Sequence, residues 1–285
     1  VDVKPLDQWY QKIEGADNIV ANLEEKEACY SAIEGCDEVY NLACNMGGMG
    51  FIENNKALCM LSVLINTHLL QCAKDANVDR FFYASSACVY NADKQICEDV
   101  VPLKEADAYP AMAEDGYGWE KLFSERLYLS FYRNYALNVR IARYHNIFGP
   151  EGTWTGGKEK APAALCRKVI ESNGKIEVYG DGQQTRSFLY IDECVEGIRR
   201  LMESDCTEPL NIGSDEVISI NDFAQMIIDI SKKEVVIKNI DVPQLGVRGR
   251  NSDNTLTKEK LGWSPVQPLK VGIEKTYKWI KNQLV

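Results

Sequence analysis

Histidine is nearly missing from this chain: His68 and His145 are the only two in 285 residues. That scarcity argues against a His-rich zinc site and against a His-centred catalytic triad. Cysteine is present ten times, yet no two are spaced C-x-x-C, and Cys59, Cys72, Cys166 and Cys194 fall inside apolar segments. A cysteine in such a place behaves as a small buried hydrophobe. Free thiols in a reducing cytosol are expected, not a disulfide framework. No apolar run reaches the ~18 residues of a membrane span; the longest, Ala57–Leu70, is interrupted by Asn66 and His68. Cations are outnumbered, 32 Lys and Arg against 42 Asp and Glu, for a net charge of −10. A net anion does not track a phosphate backbone, so neither nucleic acid nor membrane is expected as a partner. Any anionic ligand must be held by a few locally placed cations. The first residues, Val-Asp-Val-Lys-Pro, carry no secretory signal and no initiator Met, and the chain is read as processed, trimmed or incomplete.

What is present is an ordinary globular mixture, 45% hydrophobic and 26% charged. At ~150 residues per domain the length suits about two domains. Strand and helix signals alternate. Asp37–Cys44 is a short apolar run, Ile52–Lys74 is long and helix-periodic, and Asp79–Ser85 is aromatic and β-prone. Asp115–Tyr135 reads as a helix and Asn138–Phe148 as a strand with its exit. This rhythm implies a parallel sheet covered by helices, with functional loops at the carboxyl ends of its strands. After Gly149, Gly and Pro punctuate shorter elements, with helices expected at Asp192–Glu203, at Ser219–Ser231 (Ser219 or Asn221 capping) and at Gly272–Gln283.

The sharpest chemical signal is Tyr117-Gly-Trp-Glu-Lys121. Tyr and Lys at i and i+4 share one helix face. An ammonium near a phenol favours the phenolate, so Tyr117 is expected to have a lowered pKa and to serve as a general base. The motif alone is common on solvated helix faces. What raises it is Ser85-Ser86-Ala87-Cys88-Val89-Tyr90, directly after the run Phe81-Phe82-Tyr83-Ala84. Three glycines among Gly47, Gly48, Met49 and Gly50 form either a flexible loop or a place of close backbone approach. The cations required above are available in Gly156-Gly157-Lys158-Glu159-Lys160, in Gln184-Thr185-Arg186 and in Arg248-Gly249-Arg250, each of which could equally be solvated surface.

A strand ending SSxxVY, then YxxxK, then a strand leading into His145-Asn146-Ile147-Phe148-Gly149-Pro150 resembles the extended short-chain dehydrogenase/reductase superfamily, the NAD-dependent epimerases and dehydratases of nucleotide sugars. Asn45–Ile52, Gly152–Ala164, Gly180–Gly197 and Val247–Asn254 extend the likeness over essentially the whole chain. The resemblance implies an α/β fold: a doubly wound, Rossmann-like parallel sheet with a smaller C-terminal α/β substrate domain. The nucleotide-binding domain is expected over residues 1–148 plus about 185–205, and the substrate domain over 149–184 plus about 206–285. The first strand and its G-x-G-x-x-G loop are absent from this sequence, and roughly 25 residues, one strand–helix unit, are expected ahead of Val1.

By the same resemblance, NAD is the cofactor and a GDP-hexose the substrate. Asp2, ending a strand, would take the adenosine ribose hydroxyls. Asn22 would take the adenine amino group, or else caps the following helix. Leu42 and Ala43 would run beside NAD, and Lys121 would bond its ribose as well as serving Tyr117. Ser86 would bond the sugar oxygen that Tyr117 deprotonates. Cys88 and Lys160 would be acid/base groups at carbon, Lys160 with its pKa depressed by burial or by Lys158. Gly47, Ala87, Asn146, Glu159, Ala161, Lys168, Gln184, Thr185, Arg186, Arg248 and Arg250 complete the expected substrate contacts, the arginines as diphosphate ligands. The implied chemistry is transient oxidation at C4 with proton exchange at C3 and C5. The competing readings are a 4-epimerase, a 4,6-dehydratase or a non-catalytic relic. No Asp-Glu pair stands at Ala87-Cys88 to expel a hydroxyl, which argues against dehydration. A homodimer through Ile52–Lys74 and Asp115–Tyr135 is expected by analogy.

Overall fold

The computed structural model describes residues 1–242 and 246–284. Its elements run in chain order. The first half carries α1 (Lys26–Ile33), β1 (Glu38–Asn41), α2 (Met49–Asn54), α3 (Lys56–Asp75), β2 (Arg80–Ser86), α4 (Gly116–Tyr135), β3 (Val139–Tyr144) and β4 (Ile147–Phe148). The second carries α5 (Ala161–Glu171), β5 (Lys175–Tyr179), β6 (Thr185–Ser187), β7 (Leu189–Tyr190), α6 (Ile191–Glu203), β8 (Leu210–Ile212) and β9 (Val217–Ser219). The chain ends with α7 (Ile220–Ser231), β10 (Val236–Ile240), β11 (Gly249–Arg250), α8 (Thr255–Leu261) and α9 (Leu269–Gln283).

β1, β2, β3 and β8 form one parallel sheet in that spatial order. Parallel neighbours need crossovers, and α3, α4 and α6 supply them. β2 is buried at five consecutive positions, Phe81 to Ser85, as a strand covered on both faces must be. Phe81, Tyr83, Val139 and Ile141 pack on α1, α3 and α4, while Phe82, Ala84, Ala142 and Ile212 pack on α6 and Trp263. Near the start of the chain, Asp2 bridges Val20 in parallel, apart from this sheet. A second core joins α5, α7 and α9 to β5, through Cys166, Ile176, Phe223 and Ile273.

Leu210–Ile212 belongs to the main sheet, registered on Ala142–Tyr144. β6 pairs with β9 and β11. One expectation is corrected. The helix expected over Ile52–Lys74 is two helices, parted at Asn55 (φ −134, ψ 38). α3 is long and apolar enough to cross a membrane by length and composition. Its Ser62 and Asn66 are nevertheless wholly buried, with Asn66 Nδ2 donating to Glu120 Oε1 and Ser124 Oγ of α4. Ser219 is the cap of α7, its hydroxyl accepting from the Asp222 N–H. All ten cysteines are free.

Candidate active site

The carboxyl end of β2 turns sharply. Ser86 closes the strand and its hydroxyl accepts from the Cys88 N–H at 3.2 Å, fixing a short 3₁₀ turn over Ala87–Val89. Ser85, one residue earlier, points the other way. Its hydroxyl donates to Glu125 Oε1, inside the buried Arg143–Glu125 ion pair. The two adjacent serines therefore divide: Ser85 is structural and Ser86 faces the site.

α4 starts beside this turn. Asp115 caps it, accepting from the Gly118 N–H at 2.9 Å. A Cβ on Gly118 would stand 2.3 Å from the Cys88 carbonyl oxygen, so the second position of the Tyr-x-x-x-Lys motif must be glycine for helix and turn to touch. That contact brings Tyr117 into one buried cluster with Cys88, Cys59 and Ile52, flanked by Cys44, Met46 and Phe51. The Lys121 ammonium stands 5.6 Å from the Tyr117 ring centre and donates to the Ala84 carbonyl at 3.0 Å. The expected lowering of the Tyr117 pKa is overturned: burial pushes it well up, the neighbouring thiols Cys44 and Cys88 add to this, and the Ser86 hydroxyl opposes it. Taking the phenol out of water costs the phenolate more than its surroundings return.

Lys160 arrives from the second core as the cap residue of α5, with Pro162 in the first turn. Its loop is held at several points. Glu159 accepts from the Gly157 N–H and from Arg167, and the Gly48 N–H donates to the Lys158 carbonyl at 3.1 Å. A Cβ on Gly48 would lie 2.6 Å from the Glu159 carbonyl oxygen. Gly48 is thus the place of close backbone approach, a Cβ on Gly47 would meet the Phe51 side chain instead, and Met49 and Gly50 begin α2. Burial lowers the Lys160 pKa, against the opposing pull of the Cys88 and Cys44 thiols.

The remaining expected ligands fall into two groups. Asp2 accepts from the Lys4 N–H, Asn22 accepts from the Glu24 N–H in a turn ahead of α1, and Leu42 is exposed just past β1, with the Ala43 N–H on Asn41 Oδ1. Ser86 ends β2, and Leu42 and Ala43 follow the carboxyl end of β1, whereas Asp2, expected to end a strand, makes only an isolated bridge to Val20, with Asn22 two residues further on. The buried Lys121 ammonium has three donors and spends one on Ala84; it forms no ion pair among the described residues. A buried ammonium with donors to spare fits a dinucleotide's ribose hydroxyls, so the residues present suit the NAD site expected of them.

The expected diphosphate arginines are otherwise engaged. Arg186 donates to the Thr185 and Val247 carbonyls, and Arg248 pairs with Asp181 and Glu98. Arg250 is 5% exposed and reaches Gln95, Glu114 and the Cys88 sulfur. Thr185 donates to the Glu98 carbonyl, and Lys168 donates to the Glu177 carbonyl over the Tyr179 ring. Asn146 Nδ2 donates to the Ser187 carbonyl, and Gln184 leaves a buried, unpartnered Oε1. Ala161 opens α5. His145 is fully buried on Asn211, and burial holds its pKa down at about 3, so its imidazole is neutral. Sequence reading missed Gln95 and Glu114, which no motif marks, and Asp115, whose place one residue ahead of a helix opening Gly-Tyr-x-x-x-Lys was a visible cap signal.

Comparison with known proteins settles the family. The model of the NAD dependent epimerase/dehydratase family matches residues 5–213. The chain belongs to that family. It is 50% identical to GDP-mannose 3,5-epimerase from Arabidopsis thaliana over 266 residues, 93% of this chain and 70% of that protein. It is 51% identical to GDP-mannose 3,5-epimerase 1 from Oryza sativa subsp. japonica over the same shares of each. Among solved structures, UDP-glucuronic acid 4-epimerase from Bacillus cereus, in complex with UDP-glucuronic acid and NAD, superposes with a TM-score of 0.78 at 25% identity, over 94% of this chain and 82% of that one. The chain is thus an NAD-dependent nucleotide-sugar epimerase of Rossmann type.

Proposed function

We propose that this epimerase converts GDP-mannose to GDP-L-galactose, and to GDP-L-gulose where C5 alone is inverted. The observation that carries the reading is the gathering of three proton-transfer groups from three elements: the Tyr117 phenol of α4, the Cys88 thiol of the turn after β2, and the Lys160 amine ahead of α5. A 4-epimerase needs only the first. Likeness to the plant 3,5-epimerases supports the other two as working parts.

Bound NAD⁺ supplies a reversible hydride acceptor for C4. Tyr117 takes the C4 hydroxyl proton and later returns it, with Ser86 holding the sugar oxygen and Lys121 the cofactor ribose. The 4-ketone acidifies the hydrogens on C3 and C5. Cys88 and Lys160 then remove and deliver protons on opposite faces of the ring. A lysine at its ordinary pKa is a poor base, and the burial around Lys160 favours its neutral form. The test is incubation with GDP-mannose in D₂O followed by NMR. Deuterium at C3 and C5, with new GDP-hexose signals, is expected. An unlabelled product changed only at C4 would replace this reading by 4-epimerisation.

The working unit we propose is a homodimer. Met60, Leu61 and Leu64 of α3 and Trp119 and Phe123 of α4 are exposed apolar side chains on two adjacent helices, a surface that a second copy would cover. Phe123→Glu is expected to convert a dimer into a monomer by light scattering. A wild-type protein that runs as a monomer rules the arrangement out.

A further inference from the structure

Arg250 uses three of its five N–H donors within the protein. Its Nε donates to Gln95 Oε1 at 2.5 Å, its Nη2 to Glu114 Oε2 at 2.9 Å, and its Nη1 to Cys88 Sγ at 3.5 Å. Both members of the Arg250–Glu114 pair are largely buried, at 7% and 12% side-chain exposure. A guanidinium has only donors and stays charged. Against a thiol it can engage only a sulfur lone pair. The S–H bond is then turned away from Arg250, and the sulfur keeps a cation beside it when the proton leaves. Left unbalanced, a buried arginine favours the thiolate more strongly and makes the thiol easier to deprotonate and slower to give a proton back. Glu114 supplies the balance.

We propose that Glu114 is a positioning residue, which anchors the Arg250 fork on Cys88 and offsets its charge so that the thiol rests protonated yet can release its proton. The role rests on the reading of Cys88 as a carbon acid/base. The groups that face the thiol are consistent with it. Arg250 of β11 and Arg186 of β6 are cations, Glu114 and Asp115 before α4 are carboxylates, and the Lys160 amine, whose charge burial disfavours, stands with the Tyr117 phenol and the Ser86 hydroxyl around them. Burial is the largest influence on the thiol and pushes its pKa up; Arg250 pulls it down and Glu114 pushes it up again.

The experiment is a pH titration of the ultraviolet thiolate absorbance, taken as the difference from Cys88→Ser in each background, on the full chain with melting temperature as a control on folding. Glu114→Gln keeps an oxygen for Arg250 and removes the charge. Its Cys88 midpoint is expected to fall by about one pH unit, which is about ten-fold more thiolate at any pH below the midpoint. Arg250→Lys, which loses the fork, is expected to move the midpoint the other way. An unmoved or raised midpoint in Glu114→Gln overturns the proposal, and so does an unmoved midpoint in Arg250→Lys. Failure of the 3,5-epimerase reading is separate: it shows as no deuterium at C3 or C5 while the thiol titration still responds to Glu114.

Discussion

Tyr117→Phe is expected to lower turnover of GDP-mannose by about 10²–10⁴-fold, the usual worth of a positioned general base, and to stop deuterium entering C3 and C5 as well. The second effect is the informative one. Tyr117 touches neither carbon in the proposed chemistry, but C3–H and C5–H become acidic only once C4 is a ketone. The substitution removes one oxygen from a residue that is 5% exposed, so the cluster with Cys88, Cys59 and Ile52 should keep its packing. Substrate affinity is expected to change far less than turnover. Wild-type deuterium exchange in this variant would show that enolisation proceeds without C4 oxidation, and the order of steps would fall. The pH profile should carry the same signature: with burial holding the phenol well up, wild-type turnover should still be rising at mildly alkaline pH.

Lys160→Ala is expected to separate exchange from inversion. If Cys88 and Lys160 serve opposite faces, removing one leaves the other able to take a proton from its own face and return it there. Deuterium should then enter a ring carbon with its configuration retained, while formation of the epimer falls by about 10²–10⁴-fold. Cys88→Ala should show the converse pattern. Inverted product at an undiminished rate from either variant would end the two-group account. Melting temperature, measured beside turnover, separates lost chemistry from lost stability in both variants.

The parts of this site that sequence could reveal are those whose partners are close along the chain. The Tyr117–Lys121 pair follows from helical spacing, and Ser86 and Cys88 from a strand that ends in small polar residues. Even there, spacing gave adjacency without environment: it could not show that burial, not Lys121, dominates the Tyr117 phenol. The Cys88–Gln95–Glu114–Arg250 group joins four segments that no local pattern connects. Leu210–Ile212 is too short for an alternation to be visible, so its place in the main sheet emerges only from its register on β3. The break at Asn55 lies within one continuous helical periodicity and shows only in the backbone angles.

Gly48 has no reactive group, yet it decides where Lys160 can be. The peptide that carries Lys160 rests on the bare Cα of Gly48 and accepts its N–H one residue away. No side chain of any chemistry fits there unless the loop backs off. In a mutational survey of this enzyme, position 48 should therefore score like a catalytic position, with every replacement damaging and no conservative option. The amine whose placement is lost lies 112 residues further along the chain, at position 160.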